Sequence, residues 1–178
     1  MPSSKPLGSA TGGLRLLLVV MSLSLVLSGN AAAVWTTNGP NGMFFTDLDL
    51  HPSIPSLVYA VNGLKGVYTS HDAGTTFSIS ADGLSMDDLG MHTVTADPTT
   101  PSTVYAGGKN LYKSQDSGRN WRPVGVGLPP GTNPNAEITA ILVDPNHPAT
   151  VWVGCFTRDD DPIHLGGVYK SVDAGETF

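Results

Sequence analysis

The sequence predicts an all-β fold built from repeated four-stranded antiparallel sheets, and two observations support this. The first is composition: the 178 residues include 21 glycines and 14 prolines, and charged residues make up only 13%. That balance favours short strands joined by tight turns over long helices. At 40%, hydrophobic residues are numerous enough to bury a core, which argues against disorder. The second observation is an internal repeat, which determines the strand number.

The N-terminal segment, residues 1–33, predicts a secretory signal peptide with its signal helix. Lys5 and Arg15 form a positively charged region, and an apolar run extends from Leu16 to Leu27. Ala31-Ala32-Ala33 then offers the small residues that a signal peptidase prefers. The apolar run is short for a membrane-spanning helix, which needs about 20 residues. We therefore expect no membrane span after cleavage; anchoring by an uncleaved helix is the alternative.

Three segments share the pattern Ser-x-Asp-x-Gly-x-x-aromatic, and we call them Ser-Asp-Gly corners. In each corner a glycine can adopt the positive φ that a tight hairpin needs, at no steric cost. The aspartate can accept hydrogen bonds from N–H groups of the turn, and the aromatic ring is expected to pack against a neighbouring sheet. The corners comprise Ser70, Asp72, Gly74 and Phe77; Ser114, Asp116, Gly118 and Trp121; and Ser171, Asp173, Gly175 and Phe178.

Each corner closes a repeat of four predicted strands. The serines that open the corners are 44 and 57 residues apart, close to the period of a four-stranded propeller blade. Upstream of each corner, a Pro-containing turn separates two β-branched strands, because proline fixes φ and ends a strand. The pattern predicts a repeat domain over 34–178, with blades at about 42–80, 90–123 and 137–178.

These corners resemble the Asp-box, or BNR, repeat family, which includes sialidases, sortilin-type receptor domains, xyloglucan-active glycosidases and photosystem II assembly factor propellers. The resemblance covers about residues 42–178 and implies a partial β-propeller of about three four-stranded antiparallel blades. In this family the Asp box is a structural turn shared by unrelated activities. The resemblance therefore implies that Asp72, Asp116 and Asp173 are turn residues and not catalytic acids.

In such a sheet the corners share one end with the Pro-containing turns. The other end, which we call the loop face, carries the second-to-third-strand connections and the connections between sheets. Loops of variable length usually carry function. In the third repeat the loop-face connection lengthens to about Cys155–Gly167. The candidate binding residues on the loop face are Arg158, Asp159, Asp160, Asp161, His164, Asp87 and Asp88.

The sequence gives little support for a metal site, a reactive cysteine or a catalytic site. Asp159-Asp160-Asp161 is interpreted as a solvated acidic loop, because its spacing misses known calcium patterns. The histidines form no metal-ligand pair, and His51 and His147, both in turns, are expected at the surface. Cys155 is expected to be a small buried side chain; the alternative is a reactive thiol. No catalytic constellation, metal site or cofactor is predicted.

The overall charge excludes a nucleic-acid partner. The net charge is −6 and becomes −8 once Lys5 and Arg15 are removed with the signal, so no cationic stripe is available to displace phosphate counterions. A sialidase needs an arginine cluster, and after the signal only Arg119, Arg122 and Arg158 remain. That shortage argues against sialidase activity.

Three functional hypotheses follow. The leading one is a secreted or periplasmic binding or scaffold domain that recognises protein or glycan through the loop face. The alternatives are a glycoside hydrolase of the xyloglucanase-like kind with an incomplete site, and a photosystem II assembly factor-like propeller. Because the sequence stops inside its third corner, we expect a fragment whose remaining blades lie in a missing C-terminal sequence; closure of the arc by oligomerisation is the alternative.

Overall fold

The structure is a computed structural model that describes residue 39 and residues 44–85, 90–129, 136–157 and 166–178. The chain divides into two units, Met1–Trp35 and Thr36–Phe178, and every described residue belongs to the second. The expected signal segment, residues 1–33, lies outside the described residues. Among the described residues there is no helix that is both long and apolar enough to cross a membrane.

The described residues form eleven β-strands in three consecutive antiparallel sheets. The predicted all-β fold is confirmed. The first sheet comprises β1 (Phe45–Leu50), β2 (Val58–Asn62), β3 (Gly66–Ser70) and β4 (Ser78–Ser80). The second comprises β5 (Thr93–Ala96), β6 (Val104–Gly107), β7 (Leu111–Ser114) and β8 (Arg122–Val124). The third has three strands: β9 (Ala136–Val143), β10 (Val151–Thr157) and β11 (Gly167–Ser171).

Within each sheet the strands pair in chain order, so alternate connections emerge at the same end. Main-chain bonds tie each corner to the Pro-containing turn of its own sheet. The amide of Ala73 donates to the carbonyl of Ser56 at 3.0 Å, and the amide of Ala174 donates to the carbonyl of Ala149 at 2.8 Å. The loop face therefore lies at the opposite end of the strands from the corners.

Two apolar clusters hold the three sheets together. The first lies between the first and second sheets and includes Tyr59, Val61, Val94 and Trp121. The second lies between the second and third sheets and includes Tyr105, Leu111, Ile138, Val151 and Val153. Because the side chains of a strand alternate between its two faces, the second sheet contributes one face to each cluster.

His51 corrects the expectation of a surface histidine, because its side chain is fully buried. Its Nδ1 accepts hydrogen bonds from the amides of Ser53 and Ile54, each at 3.1 Å. Asp97 occupies the same place in the second sheet, where its Oδ1 accepts bonds from two amides of the following turn at 2.8 and 3.0 Å. A histidine here replaces the aspartate as the acceptor that closes the turn. His147 is exposed, as expected.

The third sheet corrects the predicted start of the long loop-face connection. Strand β10 continues to Thr157, so Cys155 lies within a strand, next to a β-bulge between Gly154 and Cys155. The connection therefore covers residues 158–166. Cys155 is buried in the second apolar cluster, and burial raises the pKa of its thiol to about 11. A raised pKa keeps the thiol protonated and unreactive, in agreement with the expected buried side chain.

Candidate functional site

The serine and aspartate side chains organise each corner. In the first corner the Ser70 hydroxyl donates to Asp72 Oδ1 at 2.8 Å and accepts from the amide of Gly74 at 2.9 Å. Asp72 Oδ1 also accepts from the amide of Thr76 at 2.8 Å, and Oδ2 accepts from the Thr76 hydroxyl at 2.7 Å. These bonds lower the pKa of Asp72 to about 2, with the Thr76 hydroxyl contributing most. The carboxylate thus serves as a turn acceptor.

The other two corners repeat this geometry. Asp116 Oδ1 accepts from the amide of Asn120 at 2.9 Å, and Asp173 Oδ1 accepts from the amide of Thr177 at 2.9 Å. The backbone departs from the sequence expectation in one respect: two consecutive residues in each corner have positive φ, not the glycine alone. In the first corner these are Ala73 at 58° and Gly74 at 83°. Residues 117 and 174 repeat the value of Ala73 within a few degrees, at 60° and 58°.

The aromatic residues that close the second and third corners pack on the preceding sheet. Trp121 is buried, and its Nε1 donates to the Ser80 hydroxyl of the first sheet at 3.1 Å. Phe178 packs against the second apolar cluster, and its amide donates to the carbonyl of Val126 at 2.9 Å. Phe77, in the first sheet, is only half-buried. The second and third corners therefore each join their own sheet to the one before it.

An ionic cluster lies where the third corner meets the second sheet. Glu176 pairs with Lys113 Nζ at 3.3 Å, and it accepts two hydrogen bonds from the guanidinium of Arg122. The bonds from Arg122, supported by Lys113, lower the pKa of Glu176. The Lys113 ammonium also donates to the carbonyl of Ala174 at 2.9 Å, and the Tyr105 hydroxyl donates to the same carbonyl at 2.9 Å. Two side chains of the second sheet thus donate to one carbonyl of the next corner. The guanidinium of Arg122 is paired with Glu176 of that corner.

Glycines bring the connections of the loop face close together. A Cβ placed on Gly90 would lie 3.3 Å from the carbonyl oxygen of Gly63. A Cβ on Gly108 would lie 2.4 Å from the carbonyl oxygen of Gly90. Larger residues at these positions would force the three segments apart. The loop-face connections of the first two sheets are therefore tightly packed against one another.

Beside this glycine-rich rim, the structure brings together two side chains that the sequence reasoning missed. His92 Nε2 lies 3.2 Å from Glu137 Oε2, and both side chains are partly exposed. His92 precedes β5 and Glu137 is the second residue of β9, so each stands where a first strand begins at the loop face. They are 45 positions apart in the sequence, and only the alignment of the two first strands could have indicated the pair.

The first strands β1, β5 and β9 lie side by side and form a shallow groove that runs from this pair. The acidic side chains within it are engaged by the backbone. Asp47 Oδ2 accepts from the amide of Val94 at 3.0 Å and the Thr93 hydroxyl at 2.9 Å. Asp49 Oδ2 accepts from the amide of Ala96 at 2.7 Å. Both aspartates therefore join the first sheet to the second.

The candidate binding residues predicted for the loop face all lie outside the described residues. Their positions are not described, so their role in binding stays a prediction. They are Asp87, Asp88, Arg158, Asp159, Asp160, Asp161 and His164. Within the described part of the chain, no cluster of three or more His, Cys, Asp or Glu side chains could hold a metal ion.

Known structures share this arrangement of sheets. An ancestral GH74 enzyme superposes with a TM-score of 0.59 at 22% identity, over 75% of this chain and 17% of the enzyme. The GH74 xyloglucanase from Xanthomonas campestris gives a TM-score of 0.55 at 22% identity, over 76% and 20%. YCF48 from Cyanidioschyzon merolae gives 0.52 at 18% identity, over 76% and 39%. The fold is a partial β-propeller. Each sheet is one blade, and the predicted fold class is confirmed.

Among curated proteins, a probable oligoxyloglucan-reducing end-specific xyloglucanase from Neosartorya fischeri is 25% identical over 142 residues. The match covers 72% of this chain and 16% of that protein, so the chain spans less than a fifth of its relative. No protein-family model matches the chain. These similarities establish the propeller fold.

Proposed function

We propose that the chain is an Asp-box-type propeller segment that binds carbohydrate, of the β-glucan class to which xyloglucan belongs, through its loop face. The observation that carries the proposal is the sequence match to a protein named as a xyloglucanase. Two GH74 structures among the fold neighbours support it. The proposal narrows the broader expectation of a protein or glycan partner.

The loop face has groups suited to a polar ligand. The His92–Glu137 pair offers a donor and an acceptor at partly exposed positions, and sugars are recognised by such convergent polar groups. The corner aspartates lie at the opposite end of the blades, and their carboxylates accept hydrogen bonds within the turns. Asp47 and Asp49 are likewise engaged by main-chain amides. Ligand contacts are therefore expected on the loop face.

Glycan binding can be tested directly with the full chain. We expect retardation in affinity gels that contain xyloglucan, and His92→Ala should weaken the interaction about tenfold, a typical loss for one central contact. Arg119→Ala is the matched control, because Arg119 is exposed in a corner at the other end of the blade. Absence of binding to any β-glucan would refute the proposal. So would equal weakening by both variants, since the site would then not lie on the loop face.

Hydrolysis is the second candidate, and the name of the curated relative favours it. A glycosidase needs two carboxyl groups about 5 to 9.5 Å apart across the scissile bond. Glu137 is one candidate acid on the loop face, and Asp87, Asp88 and Asp159 to Asp161 are candidates for the other. Release of reducing ends from xyloglucan, abolished by Glu137→Gln, would establish an enzyme; binding without release would leave a binding segment.

Secretion is part of the proposal and depends on the N-terminal segment. Lys5, Arg15, the apolar run Leu16–Leu27 and Ala31-Ala32-Ala33 together have the organisation of a cleavable signal. N-terminal sequencing of the exported product should find a first residue close to position 34. Retention of Met1 on a membrane-bound product would instead support anchoring by the uncleaved helix.

A further inference from the structure

The space between a sheet and the corner of the next sheet contains different side chains in the two interfaces. Between the second sheet and the third corner, the Glu176 carboxylate pairs with Lys113 and Arg122. Those two cations are register partners on the neighbouring strands β7 and β8. The second interface therefore contains one anion from the corner and two long cations from the sheet.

The first interface has other residues at the same three positions. Thr69 and Ser78 are register partners on β3 and β4, in the places of the two cations. Arg119 of the second corner takes the place of Glu176. The sheet thus contributes two short hydroxyl side chains instead of two long cations, and the corner contributes a cation instead of an anion.

The shorter side chains leave a cleft of about 240 Å³, which we call the first cleft, and Thr69, Ser78 and Arg119 all line it. Its volume is roughly that of eight water molecules at about 30 Å³ each, so a ligand of a few carbon atoms fits. The Thr69 side chain is buried, and among the described residues its Oγ1 has no hydrogen-bond partner. A buried hydroxyl without a partner is unfavourable, so the first cleft favours a ligand oxygen that can accept from it.

The charges around the first cleft favour a ligand with a single negative group. Within the described part of the chain Arg119 forms no ion pair, and a guanidinium matches the two oxygens of a carboxylate. His71 also lines the first cleft and can donate one N–H. Asp116 belongs to the same corner, but its carboxylate accepts hydrogen bonds from the amides of its own turn. Asp82 lines the first cleft as well, and its charge repels a second negative group on a ligand.

We propose that the first cleft binds a small monocarboxylate. Its oxygens accept hydrogen bonds from the guanidinium of Arg119 and the hydroxyls of Thr69 and Ser78, so the ligand supplies the anion that Glu176 supplies in the next interface. The walls belong to the first sheet and the second corner, so a blade packed on the outer face of the first or third sheet would leave the first cleft open. The first cleft lies at the corner end of the blades, so this site is separate from the glycan site proposed on the loop face.

Titration of the full chain with sodium propionate, followed through the amide signals in NMR spectra, tests this proposal. With the ionic strength held constant by sodium chloride, we expect saturable shifts at the amides of Thr69, Gly118 and Arg119. The dissociation constant should be about 1 mM, which is within the bound for so small a ligand. Sodium malonate should bind more weakly than propionate, because its second carboxylate meets the charge of Asp82.

Three variants locate the site. Arg119→Gln should raise the dissociation constant for propionate about tenfold or more, because it removes the cation that pairs with the ligand. Thr69→Val keeps the shape of the side chain but removes the hydroxyl, and should raise it about fivefold. Lys65→Gln is the matched control and should leave binding unchanged, because it removes an exposed cation from the loop-face connection of the same blade.

Several outcomes would overturn the proposal. One is the lack of any saturable shift at propionate concentrations up to about 100 mM. Another is an equal response to sodium chloride alone, since the first cleft would then not select a carboxylate. Unchanged binding in Arg119→Gln would place the ligand elsewhere, and tighter binding of malonate than of propionate would reject the assignment to a monocarboxylate.

Discussion

Glu176 Oε1 lies 3.3 Å from the ammonium nitrogen of Lys113, and this ion pair joins the second sheet to the third corner. The lysine side chain is 7% exposed and the glutamate side chain 41% exposed. The carboxylate also binds Arg122, so a single acidic group serves two cations of the neighbouring blade. The contact is specific to this pair of blades, since Arg119 and Thr75 take the place of Glu176 in the other corners.

We expect Glu176→Gln to lower the free energy of unfolding by about 1 kcal/mol, because it removes the ion pairs with Lys113 and Arg122. The loss is small because solvent screens the partly exposed carboxylate. Urea unfolding of the full chain measures this loss. The folded-state pKa of Glu176 is depressed, so the stabilisation is present above the unfolded pKa and is lost as the pH falls through the folded value. Arg119→Gln, in the equivalent position of the second corner, should change stability by less than about 0.5 kcal/mol. An equal loss in both variants would contradict this account.

Gly83 should not tolerate a side chain. Its φ is +88°, and a Cβ would lie 1.9 Å from the carbonyl oxygen of Trp121. Gly83→Ala is therefore expected to cost more than about 2 kcal/mol, through both backbone strain and separation of the first two sheets. Gly63→Ala provides the control, because the nearest atom to its Cβ would be 4.0 Å away and its φ is not positive. Thermal unfolding of the two variants compares them, and similar melting temperatures would contradict the prediction.

His51→Leu should destabilise the first blade, because the amide of Ser53 loses the acceptor that lies 3.1 Å away. The loss of one such partly buried hydrogen bond costs about 0.5 to 1.5 kcal/mol. His51→Asn should retain most of the stability, since the amide oxygen can accept as the Asp97 carboxylate does in the second blade. Urea unfolding distinguishes the two variants. If Leu and Asn were equally harmful, the role assigned to the histidine acceptor would be wrong.

Acid should open the first corner only at very low pH. The hydroxyl and amide of Thr76 and the hydroxyl of Ser70 lower the pKa of Asp72 to about 2, against about 3.9 in an unfolded chain. The stabilisation from Asp72 is therefore fully present above pH 4 and is lost as the pH falls towards 2. The chemical shift of the Thr76 amide should titrate with a midpoint near 2. Asp72→Asn should abolish this titration, and a midpoint near 4 in the wild-type chain would contradict the hydrogen-bond geometry.

The sequence repeat was sufficient to predict the strands and turns of each blade. The repeat predicts a Pro-containing turn between two strands upstream of each corner, and the structure has such turns directly after the strands Phe45–Leu50 and Thr93–Ala96. Local chemistry was sufficient here because a strand, a proline-containing turn and a glycine at positive φ are encoded within a few residues. His51 aligns with Asp97 and Asp144, and this alignment is the signal in the sequence for its role as a turn acceptor.

The tertiary structure decided the contacts between blades. The Glu176–Lys113 ion pair spans 63 positions and the His92–Glu137 pair spans 45, and neither pair lies within one repeat. Such pairs depend on the angle between one twisted sheet and the next, and this angle cannot be read from the sequence. The sequence alone therefore determined what each blade is, through the periodicity of its strands and turns. The packing of sheet on sheet decided which side chains of different blades meet, because that contact is set by the shape of whole faces.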